Sequence, residues 1–237
     1  MVKIVQHSLM STSRKSKPLV SRLSASAATA PHPQPAGRRE RRASETRIRL
    51  FRCALQLFSE RGFQNVTVED ITEAADVGKG TFFNYFQTKD HVLGVMAEIQ
   101  LAKVSEALAR AASGRQKIQS VLHHLFLRAA EEPGRSPDLA RALISSFLAS
   151  AGVRKIIAQH MKDGRRMIAE VVVVGQTRGE IDPRLKKEKV AIQVLQAFMG
   201  TVLFWSLHEQ PPLKVWIEDS FQHFWRSIAV PPKKKAS

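Results

Sequence analysis

Residues 67–90 read Thr67-Val-Glu-Asp-Ile-Thr-Glu-Ala-Ala-Asp-Val-Gly-Lys-Gly-Thr-Phe-Phe-Asn-Tyr-Phe-Gln-Thr-Lys-Asp90. Thr67, followed by Asp70 and then by Ile71 and Ala74, is a helix start: the hydroxyl can accept from the backbone N–H three residues on, and the acid can return the bond. A short helix over 68–75 is predicted. Asp76-Val77-Gly78 is a tight turn, and Asp tolerates the left-handed backbone that such turns use. A second short helix runs from Lys79 to Phe86, with Phe82 and Phe86 four apart on one face. Gln87-Thr88-Lys89-Asp90 opens another helix, with Thr88 at its N-cap. Two short helices joined by a tight turn make a helix-turn-helix.

Working outward, Ile48, Phe51, Ala54, Leu55 and Phe58 recur at three and four, which predicts a helix over 45–61. Gly62 closes it as a C′ glycine, and Phe63 tucks in behind. This helix braces the pair. Downstream, helical periods predict segments at 89–112, 115–131, 137–149, 152–179, 185–208 and 213–229. Val171–Val174 alone would suggest a strand, but Ile156, Ile157, Met161, Met167 and Ile168 carry a helical period through it. The fold class is therefore all-α, about nine helices: an N-terminal three-helix helix-turn-helix DNA-binding domain and a C-terminal helical bundle. The expected organisation is a disordered basic arm at 1–43, the helix-turn-helix domain at 44–92, the bundle at 93–230 and a basic tail at 231–237.

The net charge of +16 and pI near 10.6 call for a polyanionic partner. Residues 1–42 hold nine Lys or Arg and one acid, whereas 43–91 hold six bases and seven acids. Charge alone does not mark the helix-turn-helix as the DNA-binding part; the pattern does. The arm lacks an apolar period and is Ala/Pro/Ser-rich from Ser24 to Gly37. It reads as a solvated arm adding phosphate contacts, as a targeting segment, or as an extension without a role. A basic helical protein that binds RNA or an anionic membrane through the arm and Lys233–Lys235 is the competing function. Residues 185–208 are long and apolar enough to suggest a span. Gln193, Gln196, Gly200, Thr201 and Ser206 argue instead for a helix buried on two sides, without stable membrane insertion.

Cys53 is the one cysteine, which excludes an internal disulfide and Cys-based zinc sites and fits a reducing cytoplasm. His123, His124, His160, His208 and His223 show no metal-binding spacing. No phosphate loop, nucleophile elbow or paired-carboxylate arrangement is present, so no catalytic residue, cofactor or metal is expected.

On the second short helix the non-core positions are Lys79, Gly80, Thr81, Phe83, Asn84 and Tyr85. Asn can pair bidentately with adenine, Lys can reach guanine O6/N7, and the Thr methyl can meet a thymine methyl. Gly80 lets backbone and DNA approach. Thr67 turns a helix N-terminus toward phosphate, and Lys89 offers a full charge there.

The stretch 67–90 and the preceding Ala54-Leu-Gln-Leu-Phe-Ser-Glu-Arg-Gly-Phe63 resemble the helix-turn-helix of the TetR family of transcriptional regulators. The resemblance covers about 45–93. It implies a homodimer on a palindromic operator of double-stranded DNA, released by a small-molecule effector that moves the two reading heads apart. It implies that Lys79, Gly80, Thr81, Phe83 and Asn84 face the groove, that Thr67, Tyr85 and Lys89 touch phosphate, and that Phe82 and Phe86 are core. Two departures stand out. The family often has Tyr at the place of Phe83, so a phosphate hydrogen bond from its hydroxyl is lost. The family favours Gly-Val-Ser/Thr in the turn, where this chain has Asp76-Val77-Gly78.

Gly179-Glu-Ile-Asp-Pro183 before two apolar helices is similar to many family members. By that analogy 185–208 and 213–229 form the dimer's four-helix bundle, with Ala197 and Gly200 permitting close approach. The effector pocket, apolar in character, would lie among the helices of 89–208. Met161, Met167, Phe198, Phe204 and Trp205 are candidate lining residues, each of which also fits an ordinary core.

Overall fold

The structure of the chain is a computed structural model that describes residues 37–208 and 210–231. The expected arm through residue 36, and the Lys233–Lys235 tail, lie outside the described residues. Among these are nine α-helices: α1 (Arg38–Arg61), α2 (Val68–Ala74), α3 (Lys79–Phe83), α4 (Lys89–Ala112), α5 (Ile118–Ala129), α6 (Pro137–Ala149), α7 (Ala151–Thr177), α8 (Lys187–His208) and α9 (Leu213–Ile228). A single 3₁₀ turn at Pro133–Arg135 links α5 to α6.

Three boundaries differ by three residues or more from those predicted. α1 begins at Arg38, not 45, so residues 38–43 are helical rather than part of an unstructured arm. Its first turns, with exposed Arg41, Arg42 and Ser44, bury no apolar residue and so leave no period to read. Arg, Glu and Ala are nonetheless good helix formers, and the Glu40 carboxylate accepts from the Gly37 N–H at 3.0 Å. α3 ends at Phe83, with Asn84 as its C-cap, because the backbone tightens there: the N–H of Tyr85 reaches the Phe82 carbonyl. α5 starts at Ile118 rather than 115, where the Glu180 carboxylate, from the turn after α7, accepts the Ile118 N–H at 2.8 Å. Val171 and Val172 stay helical and fully buried inside α7.

The apolar side chains gather into two clusters. The head cluster holds Leu50, Phe51, Ala54, Phe58, Phe63, Ile71, Phe82, Phe86, Val92 and Leu93 from α1–α4. It also takes in Leu139, Ala142 and Leu143 of α6 and Val153 of α7, so it crosses the expected boundary at residue 92. The second cluster fills the bundle, with Ile118, Leu122 and Phe126 of α5, Ile168 and Val172 of α7, Val194 and Trp205 of α8, and Ile217 and Phe221 of α9. A bidentate pair from Arg47 to Glu98 (2.9 and 2.8 Å) ties α1 to α4. The Ser59 and Ser136 hydroxyls meet at 3.2 Å between α1 and the cap of α6.

α8 is long and apolar enough to cross a membrane by length and composition. It packs on α6, α7 and α9. The remaining face stays open in the single chain: Leu203, Phe204 and Leu207 are exposed. The expectation of burial on two sides holds for the inner face alone.

Candidate nucleic-acid interface

Local chemistry sets the entrance to α2. Thr67 adopts extended backbone, accepts from the Asp70 N–H at 3.1 Å, and receives the Asp70 carboxylate on its own N–H at 2.7 Å. The reciprocal capping box read from the sequence is present. These bonds hold the Asp70 carboxyl below its usual range, the Thr67 backbone N–H contributing most. Arg61 adds an ion pair to Asp70 at 3.3 Å.

Before and after α2 the chain turns through left-handed backbone. Gly62 has φ 77°, as a C′ glycine should, and Asp76 has φ 49°, the conformation anticipated for it in the turn. Phe63 packs edge-on against Phe58, centroids 5.0 Å apart. Phe82 and Phe86 are buried under α3, with ring centroids 5.4 Å apart, and form the floor on which α3 rests.

The outer surface of α3 carries most of the residues expected to read DNA. Lys79, Gly80, Phe83 and Asn84 are exposed, and Thr81 is half-buried. A Cβ on Gly80 would meet nothing within 4 Å, so this stretch is open to an approaching surface. Phe83 is 49% exposed and stands edge-on to Phe82. Tyr85 is half-buried against the head cluster.

Two basic residues are placed differently from expectation. The Lys89 ammonium donates to the carbonyls of Phe63 and Val66, both at 2.7 Å, with Gln64 at 3.5 Å. It also sits 4.5 Å from the Phe63 ring centroid. Its three N–H donors face backbone, so it closes the α1–α2 loop rather than offering a charge to the surface. Burial pulls its pKa down, while Asp90 and Asp70 oppose the shift. Lys79 donates to the Glu69 carboxylate in the first turn of α2. Sequence reasoning missed Glu69 because it lies ten residues before its partner, on a different helix. Thr88 stands at the N-cap of α4, yet its hydroxyl meets His91 Nδ1 at 2.9 Å instead of capping.

The five candidate pocket residues are not brought together. Phe204 is exposed and lines a groove of about 640 Å³ between α8 and α9, beside Ala197, Gly200, Val215, Trp216 and Asp219; none of the other four lines it. Met161 is exposed on α7, and Phe198 packs edge-on against Phe126. Phe204 faces out into the groove, whereas its neighbour Trp205 faces the core. Trp205 is buried, and its indole N–H has no acceptor among the described residues. No group of three or more His, Cys, Asp and Glu among the described residues is placed to hold a metal ion.

The model of the family "bacterial regulatory proteins, tetR family" matches residues 50–96, the span of this head. The chain is 43% identical over 60 residues to the HTH-type transcriptional regulator TcmR of Streptomyces glaucescens. That match covers 25% of this chain and about a quarter, 26%, of TcmR. It is 26% identical over 167 residues to the HTH-type transcriptional repressor DhaR of Mycobacterium sp. (strain GP1), covering 66% of this chain and 80% of DhaR. The crystal structure of Thermus thermophilus FadR, a TetR family transcriptional repressor in complex with lauroyl-CoA, is 27% identical. It aligns over 81% of this chain and 99% of that one, with a TM-score of 0.58. The capped α2, the Asp76 turn and α3 on its Phe82–Phe86 floor all lie inside the matched span, so this head is a helix-turn-helix of the tetR-family type, and the chain beyond it is similar to TetR-family transcriptional regulators.

Proposed function

We propose that the chain is a sequence-specific DNA-binding repressor that works as a homodimer on a palindromic operator and is released by a small-molecule effector. The observation that carries the reading is the outer face of α3: Lys79, Gly80, Phe83 and Asn84 stand exposed on a helix braced by α1 and α2. A helix of this kind enters the major groove, and its side chains meet base edges there. Thr67 at the cap of α2 and half-buried Tyr85 are the phosphate contacts that remain from the expected set. Lys89 acts by holding the α1–α2 loop.

Dimerisation rests on the open face of α8 and α9. Leu203, Phe204, Leu207 and Val215 are exposed there, and a Cβ on Gly200 would meet nothing within 4 Å. A second copy covering this face makes a four-helix bundle. Contiguous apolar surface of this kind marks an interaction site. The effector is an apolar molecule carrying a hydrogen-bond acceptor. Trp205, buried with an unpaired N–H, supports that reading. Two solved family structures, FadR of Thermus thermophilus and FadR of Bacillus subtilis, hold lauroyl-CoA and stearoyl-CoA. A long acyl thioester has the required apolar body and carbonyl. The protein acts in the cytoplasm, where the chromosome is.

The test is selection of duplexes from a randomised pool by the purified full chain, followed by fluorescence anisotropy on the enriched sequence and a scrambled control. The expected result is a palindrome whose half-sites lie about one helical turn apart. Enrichment of no motif, or binding to both duplexes with the same steep salt dependence, would overturn the reading.

A further inference from the structure

Glu69 lies in the first turn of α2 and Lys79 in the first turn of α3, and the Lys79 ammonium donates to the Glu69 carboxylate. Both side chains are more than half exposed, 56% for Lys79 and 62% for Glu69. The bond holds Glu69 below the usual glutamate range, Lys79 contributing most. An exposed pair of this kind contributes little to stability, and neither side chain covers the core. In the first turn of α2 Glu69 suits the helix dipole, as its neighbour Asp70 does, but Asp70 is spent on the cap, while the Glu69 carboxylate stands free to meet α3 and repels a phosphate backbone.

Lys79 is the sole basic residue between Arg61 and Lys89 in the sequence. With Lys89 turned onto carbonyls, it is the cation that α3 has to offer. A lysine in this position has two kinds of acceptor on DNA. Phosphates occur along every duplex and carry no sequence information. Guanine O6 and N7 occur as a pair of acceptors at a fixed place in the groove. A free lysine gains from either. A lysine whose charge is already matched by a carboxylate gains little from a phosphate, which that carboxylate repels, yet its remaining N–H donors can still meet the neutral O6 and N7 of guanine.

Resting on the DNA-binding reading above, we propose that Glu69 is a positioning residue that sets specificity: it neutralises Lys79 against phosphates and leaves the ammonium's remaining N–H donors for a matched base edge. Specificity is a difference between two affinities, and a penalty on the wrong partner raises it as surely as a gain on the right one. Glu69 supplies that penalty.

The test measures anisotropy for the selected duplex and its scrambled control across a salt series, with the wild-type chain, Glu69→Gln, Lys79→Gln and the double variant. Glu69→Gln is isosteric, Lys79→Gln removes the charge, both positions are exposed, and circular dichroism checks that each variant is folded. Glu69→Gln is expected to raise affinity for the scrambled duplex roughly 3- to 10-fold at low salt. It should also steepen the log–log salt slope by about 0.9, one additional phosphate contact. Affinity for the selected duplex should change less, so the ratio of the two falls. In the Lys79→Gln background the same change should leave the ratio where it was. An equal gain on both duplexes, or the same loss of ratio without Lys79, would mean that Glu69 acts by general repulsion and would overturn the proposal. A wild-type chain that does not distinguish the two duplexes would overturn the DNA-reading function itself, and that failure is visible before any variant is made.

Discussion

Ser150 donates its hydroxyl to the Asp90 carboxylate at 2.9 Å while accepting the Val153 N–H at 3.1 Å. One side chain thus caps α7 and fastens it to the first turn of α4, the helix that leaves the reading head. Gly152 lies beside this junction, and a Cβ there would clash with Asp90 Oδ2. Ser150→Ala removes both bonds and is expected to cost about 1–2 kcal/mol, a fall in Tm of roughly 2–8 °C. Gly152→Ala should displace the carboxylate but keep the cap, and it gains helix propensity. Its loss should be smaller. Thermal unfolding of the two variants checks the order, and a larger loss for Gly152→Ala would contradict it.

Lys89 provides a second test, because its position gives it a structural role where a phosphate contact was expected. Lys89→Met leaves the Phe63 and Val66 carbonyls without their donor. Discounted for partial exposure, the expected cost is about 1–2 kcal/mol. The salt slope of DNA binding should stay within about 0.3 of wild type, since no phosphate contact is lost. Unchanged stability with a slope shallower by about 0.9 would restore the phosphate role.

Acid should act on the turn between α7 and α8. Arg184 hydrogen-bonds the Asp182 carboxylate and holds its pKa down to about 2, from an ordinary 3.8. The folded value is the depressed one, so its stabilisation is fully present above pH 3.8 and is lost as pH falls toward 2. The Asp70 carboxyl is lowered as well and works in the same direction. Asp182→Asn should therefore flatten the decline in stability over that window and leave the neutral region less stable. Urea midpoints measured from pH 5 to pH 2 would show it.

Some of this was legible in the sequence, and the reasons are local. Thr67 and Asp70 find each other three residues apart, Gly62 ends its helix by its own backbone freedom, and Asp76 takes the left-handed turn. Each obeys a rule that needs no distant partner. The first turns of α1 were hidden because they bury nothing and so carry no period. The end of α3 was hidden because Phe86 keeps the apolar spacing after the helix has stopped. The role of Lys89 could not be read because its acceptors are carbonyls more than twenty residues back, and any residue has a carbonyl. The pocket candidates do not converge on one cavity, because apolar character does not say which side of α7 or α8 a residue faces.

The open side of that helix yields the fourth expectation. Phe204→Asp places a charge in the groove between α8 and α9, where a second copy would pack. Sedimentation should show monomer in place of dimer at micromolar concentration, with helical content unchanged and affinity for a palindrome reduced by at least tenfold. A dimer that persists would place the contact elsewhere.

Leu139, Ala142, Leu143 and Val153 belong to the same apolar cluster as Phe58, Ile71 and Phe82. The head's apolar core is therefore not closed by α1–α4 alone, and α6 and α7 complete it. A fragment cut after residue 92 would expose that core to water and forfeit the burial that holds α1–α3 in place. The head and the α6–α7 corner are therefore expected to melt together in one thermal transition. The head cannot be transplanted onto another regulator as a self-sufficient module unless the α6–α7 corner travels with it.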